Sequence, residues 1–372
     1  MPADVSPALP RADEAALAPY GWGPFFREAL EACWATAGRG DAPGGIEVGR
    51  VSAEHQGAFL LRLSEGERSS TIAGRLRRGI ARGRADRPAV GDWVIADLPA
   101  DGPASIRATL PRRTRLSRKA AGHHAAEQVL AANVDVAFLV SSLGRDLNPR
   151  RLERYLALVL EGGVDPVVLL TKADTFGDPA SVVDALRAAA PAVPVHVLSS
   201  VTGQGVEELG PYFAENRTAV LLGSSGVGKS TLLNRLLGAD VQVVGEVRED
   251  GTGRHTTTHR QIFRRPGGGL IIDTPGMREL GLWEAGAGLS HTFADVEAIA
   301  ESCRFTDCRH EAEPGCAVAA AVAAGELDAA RVQSFRALQD EVRRTTEQAA
   351  RRRHTRQITR TLNADMRRRG PR

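Results

Sequence analysis

The chain has 372 residues, 42% of them hydrophobic and 25% charged, with a formal net charge of +3. That length suits two or three folded domains, and so small a net charge confines any nucleic-acid contact to local basic patches. No apolar run approaches the roughly 18–20 residues of a membrane span, and the acidic N-terminal stretch lacks the pattern of a secretory signal, so a cytoplasmic location is expected.

Residues 1–45 are rich in Ala, Pro and Gly and read as a partly ordered lead-in with one amphipathic stretch at 25–34. From 46 to 115 the pattern changes to short alternating runs at 49–63, 70–79, 89–98 and 104–110, punctuated by Gly, Pro and Asp. Five short strands there predict an OB-type β barrel, a frequent RNA-binding surface; a β domain that only packs on its neighbour fits the same pattern. A basic linker at 111–124 follows, and the window 107–119 holds six basic residues and no acid.

Residues 125–283 read as an α/β domain. Apolar runs at 134–140, 165–170, 193–198 and 218–223 alternate with helical stretches near 150–161, 179–190 and 205–214. Near-continuous apolar strands of this kind imply a parallel sheet covered on both faces. The first chemical signature in it is Thr171, Lys172, Ala173, Asp174. A carboxylate such as Asp174 accepts two hydrogen bonds from the N1–H and N2–H₂ edge of guanine. Adenine offers no matching donors, and a buried carboxylate left unpaired costs at least ~1–3 kcal/mol. Lys172 is expected along the base plane. Thr171 stands where this signature usually has Asn, which predicts weaker tethering and unchanged base choice. Ser199 and Ser200 close the next apolar run, where backbone N–H groups can meet the guanine O6.

The phosphate loop comes after the base reader. Gly223, Ser224, Ser225, Gly226, Val227, Gly228, Lys229 and Ser230 fit G-x4-G-K-S, and Ser230 and Thr231 open a helical run. Successive N–H groups and the helix start favour phosphate. Lys229 is assigned to the β- and γ-phosphates and Ser230 to Mg²⁺. Asp273, closing an apolar run, is assigned to Mg²⁺ through water, and Gly276 to the γ-phosphate. The Thr-rich segment 251–260 suits a switch in which Thr256 or Thr257 completes the Mg²⁺ shell. Met277 occupies the place where GTPases commonly carry the Gln that orients water; His255 and His259 are candidates for that task, against mere phosphate or RNA contact.

In the last region, 284–372, Cys303, Cys308, His310 and Cys316 suit one closed, structural Cys₃His zinc site. Residues 343–372 carry 11 Arg against Glu347 and Asp365, a helical tail suited to rRNA phosphates.

In ordinary small GTPases the phosphate loop precedes the base reader; here the order is reversed. That order, with a β barrel before it and a Cys/His cluster after it, resembles the RsgA (YjeQ) family of circularly permuted GTPases over about residues 46–360. The resemblance implies an OB-fold domain, a permuted GTPase domain and a zinc-binding helical domain. It further implies hydrolysis of GTP to GDP with Mg²⁺, stimulated by the small ribosomal subunit during its assembly, by a chain expected to be monomeric. The alternatives are a non-hydrolysing RNA-binding scaffold that holds GTP as a structural ligand and a P-loop kinase for a small molecule.

Overall fold

The computed structural model describes residues 9–34, 45–55, 57–119, 127–144, 146–238, 260–273, 286–311 and 313–369, by backbone alone at 119, at 349 and from 352 onward. They group into two compact units, one drawn from Met1–Leu116, Val129–Leu147 and Gly163–Glu279, the other from Ser117–Gln128, Asn148–Gly162 and Leu280–Arg372.

In the first unit, helices α1 (Glu14–Leu17) and α2 (Pro24–Trp34) precede a five-stranded barrel. Its strands are β1 (Ile46–His55), β2 (Ala58–Leu63), β3 (Gly66–Ile72), β4 (Trp93–Asp97) and β5 (Ala104–Thr109), ordered β1-β2-β3-β5-β4, with β4 closing back on β1. Alternation along β2 turns Phe59, Leu61 and Leu63 into the core. The helical lead-in is part of that core: Leu17, Trp22, Phe26, Leu30 and Trp34 pack with Val48, Trp93, Ile95 and Leu110.

One expectation fails within the barrel. The run 70–79 is not a single strand; β3 ends at Ile72 and helix α3 (Gly74–Ala81) follows. Leu76 and Ile80 lie four residues apart, and of the helix's side chains only that of Leu76 is fully buried. A narrow apolar stripe of helical spacing therefore overrides the apparent alternation.

The expected basic linker also contains structure, for β6 (Arg115–Lys119) and β7 (Glu127–Ala132) pair as a two-stranded ribbon. Three arginines of the basic window meet carboxylates distant in sequence. Arg107 pairs with Asp97, Arg113 with Asp135, and Arg112 forms a two-pronged bond at 2.8 Å to the wholly buried Asp92. Beside them Arg50 of β1, 2% exposed, donates to the backbone carbonyls of Tyr20, Gly91 and Asn133 and lies over the Trp93 ring.

Downstream come β8 (Val136–Ser142), β9 (Asp165–Thr171), β10 (Val195–Val197), β11 (Thr218–Leu222), β12 (Arg260–Arg264) and β13 (Leu270–Asp273), ordered β10-β9-β8-β11-β13-β12. Neighbours are parallel except for the antiparallel β12. Helix α4 (Pro149–Glu161) falls between β8 and β9 in the chain and groups with the second unit; α5 (Ala180–Ala189) and α6 (Lys229–Leu237) stay with the first. Phe138, Val140, Leu169, Leu221 and Ile271 of the strands share a core with Leu232, Leu233 and Leu236 of α6. β12 also pairs with barrel strand β1, with Ala53 opposite Gln261 and Glu54 opposite Arg260, so barrel and nucleotide sheet form one continuous sheet.

The second unit contains α4, α7 (Gly286–Thr292), α8 (Ala294–Ala300), α9 (Ala317–Ala324) and the 41-residue α10 (Ala329–Arg369). Arg331 at the start of α10 ties these helices together through Asp295, Glu153 and the carbonyl of Thr292. Among the described residues, no helix is long and apolar enough to cross a membrane.

Candidate nucleotide site and candidate metal centre

The carboxyl ends of β8, β9, β10, β11 and β13 gather Ser141, Thr171, Ser199, Gly223 and Asp273, the position at which open parallel sheets bind ligands. The phosphate loop leaves β11 at Gly223, where a side chain would not fit: a Cβ there would sit 2.3 Å from the carbonyl oxygen of Val140. Gly226 and Gly228 adopt φ of 80° and 95°, and Lys229 then opens α6. Lys229 Nζ lies over the loop and donates to the carbonyls of Gly223 and Ser224 at 2.8 and 2.5 Å. Ser230 and Thr231 occupy the first turn of the same helix.

Thr171, the last residue of β9, is 1% exposed. Its hydroxyl donates to the carbonyl of Val227 in the phosphate loop at 2.6 Å, which uses its single proton; the carbonyl of Ser141 lies 3.3 Å away. Lys172 follows in the left-handed conformation, φ 62°, and turns the chain so that Asp174 projects beyond the strand. Ser199 Oγ donates to Asp174 Oδ1 at 2.5 Å and accepts the N–H of Thr202 at 3.1 Å. A backbone amide therefore orients the hydroxyl that orients the carboxylate. Ser200 Oγ is buried and has no hydrogen-bond partner among the described residues.

The sequence reading missed Arg235. From the far end of α6 its guanidinium donates to the carbonyls of Val201 and Thr202 at 3.4 and 3.1 Å and rests against Gly203. A Cβ on Gly203 would fall 1.9 Å from Arg235 Nη2, and the φ of 93° there disfavours any side chain. One helix thus carries Lys229 at its start and braces the base-reading loop near its end. The only sequence signal was an arginine on the phosphate-loop helix, and its target lies 33–34 residues earlier.

Asp273 is the final residue of β13. Gly276, Met277, Thr256, Thr257, His255 and His259 lie outside the described residues.

In the second unit, Cys303, Cys308, His310 and Cys316 bring their ligand atoms within 4.8 Å of one another, and none of the cysteines is in a disulfide. His310 Nδ1 stands 3.6 Å from the sulfurs of both Cys303 and Cys316, which are 4.0 Å apart. A tetrahedral zinc with Zn–S of about 2.3 Å and Zn–N of about 2.0 Å requires edges of about 3.6 and 3.8 Å, close to the three among Cys303, His310 and Cys316. Burial pushes the Cys303 thiol up, but the N–H groups of Val318 and Ala317 at the start of α9 bring it below its ordinary value. Burial holds the His310 imidazole below its ordinary value, which favours the neutral ligand form.

The RsgA GTPase family model matches residues 109–283. The small ribosomal subunit biogenesis GTPase RsgA of Opitutus terrae is 44% identical over 336 residues, covering 87% of this chain and 89% of that one. Among solved structures, YjeQ from Thermotoga maritima superposes with a TM-score of 0.58 at 26% identity, covering 80% of this chain and 98% of that one. YloQ, described as a circularly permuted GTPase, gives a TM-score of 0.54 at 25% identity, over 82% and 98% of the two chains.

Proposed function

The chain belongs to the RsgA GTPase family, and on that premise we propose that it hydrolyses GTP to GDP and phosphate in the biogenesis of the small ribosomal subunit. The observation that carries this reading is the joint held by Thr171: the strand that ends in the base-reading signature is bonded directly to the phosphate loop, as recognition of one guanine nucleotide requires.

In this reading Asp174 accepts from the guanine edge while Ser199 fixes its rotamer. Ser200, with its unpartnered buried hydroxyl, serves as a further polar contact to the base. The N–H groups of the loop and Lys229 cradle the phosphates. Water attacks the γ-phosphorus in line, the bond to the β-phosphate oxygen breaks, and GDP leaves with its electron pair. Lys229 and the loop amides stabilise the charge that develops. Ser230 and Asp273 would hold Mg²⁺, which neutralises phosphate charge when bound, with Thr256 or Thr257 and the Gly276 N–H completing the switch. Met277 cannot orient water, so unaided turnover is slow and the ribosomal subunit supplies what is missing.

The Cys₃His cluster holds one structural Zn²⁺ in this reading. The barrel, of OB type in its strand order, and the arginine-rich end of α10 meet rRNA, and the protein acts as a cytoplasmic monomer. The test is GTP turnover with and without purified small subunits. Slow hydrolysis that rises many-fold on their addition supports the proposal. Tight GTP binding with no hydrolysis in either condition would identify a scaffold instead.

A further inference from the structure

We propose that helix α3 of the barrel, together with the turn after it, is a docking face for the phosphate backbone of RNA. This inference rests on the ribosome-directed reading above and assigns a specific surface to it.

The helix is almost wholly cationic. Arg75, Arg77 and Arg78 within it and Arg82 and Arg84 just beyond are all exposed, and no acidic residue occurs between Ile72 and Ala85. Only Leu76 is buried against the barrel. Two features of this arrangement are unfavourable for an isolated surface helix. Its first turn carries positive charge and no acid, against the helix dipole. Arg75 and Arg78, and Arg78 and Arg82, stand at the three- and four-residue spacings at which like charges repel. A helix serving stability alone would interleave acids there.

Elsewhere in the same unit five arginines have counter-charges: Arg107 with Asp97, Arg112 with Asp92, Arg113 with Asp135, Arg217 with Asp165 and Arg87 with Glu54. On α3 the pattern stops. Arg75, Arg78 and Arg84 have no acidic partner among the described residues, and the one bond of Arg77 goes to the carbonyl of Ile72 at 3.4 Å. Those five arginines are neutralised by carboxylates, whereas Arg75, Arg78 and Arg84 stand charged at the surface. Its complement is a closely spaced run of anions. Guanidinium forks match phosphate oxygens, and an eight-residue helix extends about 12 Å, enough to meet several phosphates. The helix itself carries no aromatic side chain on which a base could stack, so the contact positions the chain without reading sequence.

The experiment compares the full-length chain with the variant Arg75→Gln/Arg77→Gln/Arg78→Gln/Arg84→Gln, glutamine being a comparably good helix former. Binding to purified small subunits is measured with a non-hydrolysable GTP analogue across a salt series, and to isolated rRNA in parallel. Each lost phosphate contact reduces the slope of log affinity against log salt by about 0.7–0.9, so the slope shrinks by about 3 and affinity falls at least ~30-fold near 0.1 M salt. The double variant Arg75→Gln/Arg78→Gln gives about half the change in slope, a graded response that misfolding does not produce. Basal GTP turnover stays as in the parent chain. Identical affinity and slope for parent and variant would show a merely solvated face and overturn the proposal. Loss on subunits alone, with the rRNA salt slope unchanged, would assign the face to a ribosomal protein and overturn it equally. A parent chain that binds neither subunit nor rRNA would bring down the ribosomal reading itself, and the proposal with it.

Discussion

The hydroxyl of Thr171 reaches the carbonyl of Val227 at 2.6 Å, joining the strand end that reads the base to the loop that holds the phosphates. The bond is short and Thr171 is buried. Thr171→Val removes only the donor and leaves the Val227 carbonyl unpaired, at about 1–2 kcal/mol. Affinity for GTP and GDP, read by fluorescent-nucleotide titration, falls about 5–30-fold with base preference unchanged, and Thr171→Ser retains most of it. Parent-like binding by Thr171→Val would show that the tether carries no weight.

Arg235 acts through the loop it braces rather than on the nucleotide. Arg235→Leu frees the carbonyls of Val201 and Thr202 and loosens the loop that carries Ser199, and with it Asp174. The half-saturating GTP concentration rises about 3–10-fold, the equivalent of one or two modest hydrogen bonds, while turnover at saturation stays within about 2-fold. A drop in saturated turnover with no change in half-saturation is the contrary result.

The Cys/His cluster predicts one zinc per chain by elemental analysis. Cys316 also caps α9, its sulfur accepting the N–H of Ala319 at 3.3 Å, so Cys316→Ser disturbs metal and helix start together. Cys308→Ser or strong chelation isolates the metal's share. Structural zinc contributes on the order of 10 kcal/mol in small domains, and the unit built on α7, α8 and α9 should lose its cooperative unfolding step on removal. A metal-free chain with unaltered unfolding would exclude a structural ion.

Buried Arg50 predicts a stability effect with a definite pH profile. Burial pushes its guanidinium down to about 10. The folded-state value lies below that of the unfolded chain, so the cost of holding the charge is constant below about pH 10 and is relieved only above it. Arg50→Leu strands the carbonyls of Tyr20, Gly91 and Asn133 and lowers stability by about 3 kcal/mol, read as a shift in urea midpoint. The difference from the parent chain is flat from about pH 6 to pH 9. A steep change inside that window would mean that another group titrates there.

What the sequence disclosed is what lies contiguously within it. The phosphate loop, the base reader and the metal ligands each occupy a short window, and their chemistry follows from residue type and spacing. Barrel strands β1, β2, β4 and β5 were legible for the same reason. Arg112 was not, because its partner Asp92 lies 20 residues away in the chain. Arg235 was hidden by the same separation. Helix α3 was hidden differently: Leu76 and Ile80 give so narrow a stripe that strand alternation and helical spacing could not be told apart over eight residues.

The pairing of β12 with β1 gives the barrel a second task that has nothing to do with ligands. An open sheet exposes two rows of unsatisfied backbone groups to any passing strand. Here one flank of the nucleotide sheet is β10, only three residues long, and the other is continued by the barrel, whose strands close on themselves. Chain order sets the barrel before the nucleotide sheet, and the sheet's own hydrogen bonds make it that sheet's guard against self-association.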